Sequence, residues 1–105
     1  MGFNMQKLMK QAQKMQQDIA RAQEELSNTQ VEGVSGGGLV KVIATASGDI
    51  VSLAIDQEIV DPDDVEMLED MILAAVKDAL AKGRATAESR MASVTGGMPG
   101  MPGMF

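Results

Sequence analysis

The chain of 105 residues predicts an α+β fold, α-β-β-β-α, in which two long helices flank a three-stranded antiparallel sheet. Three observations carry this reading. From Met5 to Leu26 the apolar residues recur at alternating spacings of three and four, which places them along one side of a helix. Between Leu39 and Ile55 they alternate every second residue, broken by Ser47-Gly48-Asp49, as two strands joined by a turn do. Beyond Asp61-Pro62-Asp63-Asp64 the helical spacing returns.

The first helix is expected from Asn4 to Asn28. Met5, Leu8, Ala12, Met15, Ile19, Ala22 and Leu26 form a seam of coiled-coil type, and no Gly or Pro interrupts it. Met5, Met9 and Met15 read as adaptable filling of that seam rather than as a ligand groove. Asn28 and the β-branched Thr29 and Val31 favour leaving the helix. A first strand follows around Thr29 to Ser35, with limits blurred by Gly33 and the run Gly36-Gly37-Gly38. That run could suggest a phosphate cradle, but it leads into a strand and no Lys-Ser/Thr follows, so it reads as a loop.

In the second strand, Leu39 to Ala46, one face carries Val40, Val42, Ala44 and Ala46 and the other Leu39, Lys41, Ile43 and Thr45. The third, Ile50 to Ile55, puts Val51, Leu53 and Ile55 on one face, and Asp56 and Glu58 read as solvated strand-end residues. Asp61 is placed to cap the last helix, with Pro62 at its first position and the acids at the positive end of its dipole. Capping is preferred to a cation site, because the spacing does not match a calcium loop. The helix then runs through Val65, Leu68, Ile72, Ala75, Val76, Ala79 and Leu80 to about Ala92. Gly83 weakens it by about 1 kcal/mol relative to Ala. Residues 1–95 form a single domain, and the Gly/Met/Pro repeats of 96–105 are expected to be disordered.

Helices of about 37 and 45 Å, at 1.5 Å per residue, overhang strands only about 20 Å long. An overhanging seam of Met, Leu and Ile needs cover, so a homodimer with projecting helical arms is expected. The chain has no Cys, His, Trp or Tyr. That removes the commonest general base, metal ligands and thiol nucleophile, so catalytic residues, metal, cofactor and small-molecule substrate are all expected to be absent. The start lacks the apolar core of a signal peptide, and the longest apolar run, Met71 to Val76, is too short to span a bilayer. A soluble cytoplasmic protein with no membrane partner is the expectation.

Charge is segregated along the chain. The formal net charge is −6, yet residues 1–17 carry Lys7, Lys10 and Lys14 and no acid, for +3. Residues 77–105 carry Lys77, Lys82, Arg84 and Arg90 against Asp78 and Glu88, for +2, and the middle carries −11. Lys7, Lys10, Lys14 and Arg21 form one stripe beside the apolar seam. Gln6, Gln11, Gln13, Gln16 and Gln17 surround it, able to hydrogen-bond phosphates or base edges. One reading is a solvated helix face. The other is an electrostatic footprint for a polyanion, with the positive ends on the overhanging parts of both helices.

The segment from Asn4 to Gln16 resembles the opening helix of the YbaB/EbfC family of bacterial nucleoid-associated proteins. Val31-Glu32-Gly33 and the stretch Gly36 to Val42 resemble that family's first strand, glycine loop and second strand. Asp61 to Ile72, followed by Ala74 to Ala79, resembles its final helix. The resemblance implies a tweezer-shaped homodimer whose helical arms bind DNA, alter its conformation and contribute to nucleoid organisation and gene regulation. It carries DNA contact to Lys7, Lys10 and Lys14, and to Lys77 on the last helix. Lys82, Arg84 and Arg90 lie where that family varies. The alternatives are a protein-interaction scaffold without direct DNA binding and, more remotely, an enzyme built on carboxylates.

Overall fold

The computed structural model describes residues 4–95. Helix α1 spans Met5–Ser27, strand β1 Gln30–Ser35, β2 Val40–Thr45, β3 Ile50–Ile55 and helix α2 Val65–Thr95, with a 3-10 turn at Gln57–Ile59. The three strands form one antiparallel sheet in the order β1-β2-β3. The expected α-β-β-β-α order is the one observed.

Local chemistry sets each boundary. The Asn4 side chain accepts the Lys7 N–H at 3.1 Å and opens α1. At the other end Asn28 Nδ2 donates to the Glu24 carbonyl and Thr29 Oγ1 to that of Glu25, so the last carbonyls are satisfied where the chain turns into β1. The β1–β2 connection holds Gly36, Gly37 and Gly38 at φ of 60°, 70° and 101°. Those values disfavour any residue with a Cβ, which explains three glycines in succession.

The core lies between the sheet and α2. Val40, Val42 and Ala44 of β2 are fully buried, and the register sets Ser35, Gly33 and Val31 of β1 opposite them. Helix α2 crosses this face on Ala75, Ala79 and Gly83, three small residues spaced by four. Val31, Ile59, Met71, Ile72 and Val76 pack around the contact. Gly83, weak in helix propensity, is what lets α2 come close: a Cβ there would stand 3.0 Å from the Thr45 carbonyl oxygen.

The two sheet edges are treated differently. Along β1, Asp78 accepts the Val34 N–H at 3.0 Å, Lys82 Nζ donates to the Glu32 carbonyl at 3.0 Å, and Ser35 Oγ donates to the Met71 carbonyl at 2.6 Å. Helix α2 thereby pairs backbone groups that an edge strand would leave open. Leu53 and Ile55 of β3 share the face of Val42 and Val40, yet α2 does not reach across, and Ile50, Val51 and Leu53 are each about half exposed.

The entry to α2 differs from expectation. Asp61 Oδ1 accepts from the Asp63 N–H at 2.9 Å and the Asp61 carbonyl from the Asp64 N–H, which closes a turn holding Pro62. The helix begins at Val65, and Asp64 Oδ1 accepts from the Met67 N–H at 3.3 Å. Capping passes from Asp61 to Asp64 because the Asp61 carboxylate is engaged in the turn. Asp56 likewise does more than sit in solvent: its carboxylate accepts from the Glu58 N–H and caps the 3-10 turn. Helix α2 continues past Ala92 to Thr95, and the expected disorder of 96–105 concerns residues outside those described.

Candidate nucleic-acid interface

Helices α1 and α2 pack antiparallel, with Arg90 beside Glu25, and Ser93 and Val94 beside Asp18 and Arg21. The described part of α2 thus reaches the level of Asp18, and among the described residues α1 continues beyond it for about 20 Å, at 1.5 Å per residue. Every residue from Asn4 to Lys14 is exposed. This bare arm carries Lys7, Lys10 and Lys14, and none of the three has an ion-pair partner among the described residues. Gln6, Gln11, Gln13, Gln16 and Gln17 are exposed around them, and no acid precedes Asp18. A protruding cluster of like charge with no internal counterion gives a positive potential at the arm.

The other five candidate cations stand elsewhere. Arg21 lies over the α1–α2 junction near Glu25. Arg90 Nε donates to Glu25 Oε2 at 2.9 Å, and Lys82 Nζ is 2.9 Å from Asp78 Oδ2. Lys77 and Arg84 are exposed on the part of α2 that crosses the sheet, with Arg84 beside Ser47 and Gly48 of the β2–β3 turn. The expectation that the basic part of α2 overhangs the sheet is thus corrected for Lys77, Lys82 and Arg84. Ala75, Ala79 and Gly83 seat that stretch on β1 and β2.

The opposite end of the molecule is acidic. An open groove floored by Met67, Met71 and Ala74 is rimmed by Asp64, Glu66 and Asp70. Among the described residues no group of three or more His, Cys, Asp or Glu side chains is placed to hold a metal ion.

Two carboxylates titrate below their ordinary range. The hydrogen bond from Arg90 holds Glu25 down, and the Val34 N–H, aided by Lys82, does the same to Asp78. A carboxylate whose pKa is depressed by folding stabilises the fold above its unfolded value, and that contribution disappears as pH falls through the folded value. The thermal midpoint is therefore expected to fall on acidification below about pH 4.5, the ordinary carboxylate range. Melts followed by circular dichroism from neutral pH downward check this. The double variant Glu25→Gln/Asp78→Asn should start lower and show a flatter acid limb, and an unchanged limb would exclude these two groups as its source.

Residues 1–98 match the model of the YbaB/EbfC DNA-binding family. A protein of Pelotomaculum thermopropionicum named "Nucleoid-associated protein" is 54% identical over 105 residues, covering 100% of this chain and 99% of that one. One of the same name from Ruminiclostridium cellulolyticum is 52% identical over 104 residues, covering 99% of this chain and 90% of that protein. Among solved structures, that of the uncharacterized protein HP0035 from Helicobacter pylori superposes with a TM-score of 0.75. The overlap covers 87% of this chain and 96% of the other; at 21% identity the likeness is one of fold.

Proposed function

The chain belongs to the YbaB/EbfC DNA-binding family, and from this premise we propose that it is a nucleoid-associated protein that grips the DNA phosphate backbone as a homodimer. In this role it alters DNA conformation and contributes to nucleoid organisation and gene regulation in the cytoplasm. The observation that carries the reading is the bare, acid-free arm of α1 with Lys7, Lys10 and Lys14. Lysine ammonium groups are mobile point charges suited to phosphate and poor at fixing one base edge, so contact falls on the backbone. Affinity then comes largely from counterion release.

Arg21 extends the stripe toward the junction, and Lys77 and Arg84 offer further contacts on α2. Lys82 and Arg90 contribute only as far as phosphate can share them with Asp78 and Glu25. Pairing of two copies is supported by the uncovered apolar strip of Val51 and Leu53 on β3 and by Leu73 on α2, each about half exposed. An apolar strip of this kind next to a sheet edge calls for a partner surface. Two copies joined there would present two basic arms. Among the described residues no helix is long and apolar enough to cross a membrane.

The test is fluorescence anisotropy on two unrelated duplexes at several salt concentrations, with sedimentation run alongside. With about six phosphates neutralised per dimer, log K should fall with log salt at a slope near −5. Similar affinity for both duplexes is expected. A large difference between them would replace backbone grip with sequence reading. Absence of binding at low salt, together with a protein partner that survives nuclease treatment, would move the assignment to a scaffold. A purely monomeric species at micromolar concentration would remove the two-armed grip.

A further inference from the structure

The acidic groove at the start of α2 stands apart from both the basic arm and the apolar strip of β3. Its floor is Met67, Met71 and Ala74, and its rim is Asp64, Glu66 and Asp70. None of the three carboxylates has an ion-pair partner among the described residues. The chain holds no Lys or Arg between Lys41 and Lys77, a stretch with nine acids. The groove opens where α2 faces Ser35 and Gly36 at the end of β1, whereas β3 is the opposite edge of the sheet.

An apolar floor between carboxylates suits lysine, whose methylene stem lies on apolar surface while its ammonium reaches the charge beyond. The chain itself supplies such a ligand. Lys7, Lys10 and Lys14 are exposed, have no ion-pair partner among the described residues, and precede the first acid, Asp18. We propose that the groove receives the α1 arm of another molecule of this protein, with Lys10 and Lys14 meeting Glu66 and Asp70 over the methionine floor.

Spacing, place and charge favour this occupant. Lys10 and Lys14 stand four residues apart on a helix, as Glu66 and Asp70 do, so each pair spans about 6 Å along its axis. Methionine side chains adapt to what lies on them without demanding a fixed geometry. The arm of the same chain is out of reach: α2 runs about 45 Å from the groove to the level of Asp18, and the arm points onward from there. The contact therefore joins different surfaces of two molecules, and such a head-to-tail contact extends into open chains unless its rotation closes a ring. Exposed ion pairs are individually weak and screened by salt, so the association is of low affinity. It requires the arm and the groove alone and does not rest on nucleic-acid binding. DNA phosphates and the rim carboxylates would compete for the same lysines.

Sedimentation of the full chain without DNA, over a range of protein concentrations, tests the contact. Two salt conditions are compared, about 10 mM and about 1 M, between which the Debye length falls from about 30 to about 3 Å. Average mass should climb with concentration at low salt and level off at the homodimer or monomer at high salt. The charge-reversed variants Glu66→Lys/Asp70→Lys and Lys10→Glu/Lys14→Glu should each lose the climb. Their equimolar mixture should regain it, because the basic groove of one then meets the acidic arm of the other, a recovery that a folding defect would not give. The isosteric Glu66→Gln/Asp70→Asn should weaken the association about tenfold. A climb retained by either reversed variant alone, or a mixture that fails to recover it, would overturn the proposal and leave the groove to a different partner.

Discussion

Replacing Gly33 with Ala is expected to lower the thermal midpoint by about 15 °C or more, from a destabilisation of about 3 kcal/mol at 4–8 °C per kcal/mol for a domain of this size. Gly33 faces α2 from the middle of β1 and is buried. A Cβ built on it collides with the Ala79 nitrogen and the Ala75 carbonyl oxygen and stands 2.7 Å from the Ala79 Cα. All three are helix backbone, so no side chain can rotate away, and the helix itself has to lift. Lifting it opens the Val34–Asp78, Glu32–Lys82 and Ser35–Met71 hydrogen bonds together. The cost therefore belongs at the upper end of the 1–3 kcal/mol usual for overpacking. Gly37→Ala is the control. A Cβ there has nothing within 4 Å and meets only the strain of φ +70°, about 1–2 kcal/mol. Equal midpoints for the two variants in a melt followed by circular dichroism would mean that α2 does not sit on β1 as described.

That contact marks the boundary between what periodicity can and cannot report. The seam of α1 and the alternation in β2 are local patterns, so both elements and the buried set Val40, Val42, Ala44 and Ala46 were legible from residue order alone. The arm lysines were legible for the same reason: three cations with no intervening acid are adjacent in sequence and remain adjacent in space. Alternation in β3 was equally clear, yet it says which residues share a face and not whether anything covers it. Leu53 is accordingly 47% exposed while its partner Val42 is fully buried.

The roles of Asp78, Lys82 and Arg90 depend on partners 44, 50 and 65 residues away. Sequence alone offers the i,i+4 spacing of Asp78 and Lys82 and nothing more, so Lys82 and Arg90 stand among the candidate cations, set apart from those of the arm only because they lie where the family varies. Four acids within Asp61–Asp64 and Glu66 made a helix start certain but not its cap, since turn and cap use the same side-chain chemistry. Gly83 is the converse case. A propensity scale scores it as a weakness, and the neighbouring Thr45 carbonyl gives the reason for its place.

The distinction between free and engaged cations gives the second large effect, in DNA affinity. The triple variant Lys7→Ala, Lys10→Ala and Lys14→Ala is expected to raise Kd at least about a hundredfold near 0.1 M salt and to flatten the salt slope from near −5 toward zero. All three side chains are exposed and their arm touches neither sheet nor α2, while Ala is a better helix former than Lys. The circular dichroism spectrum and the thermal midpoint should therefore stay as they were, which separates lost binding from lost fold. Lys82→Ala and Arg90→Ala should behave in the opposite manner. Each removes a tether of α2, to β1 or to α1, so stability should suffer more than affinity and the salt slope should change little. Anisotropy at four or more salt concentrations on all of these variants reads both quantities. If the arm triple binds with unchanged affinity and slope, phosphate contact lies elsewhere, and Lys77 and Arg84 on the outer side of α2 become the cations to replace next.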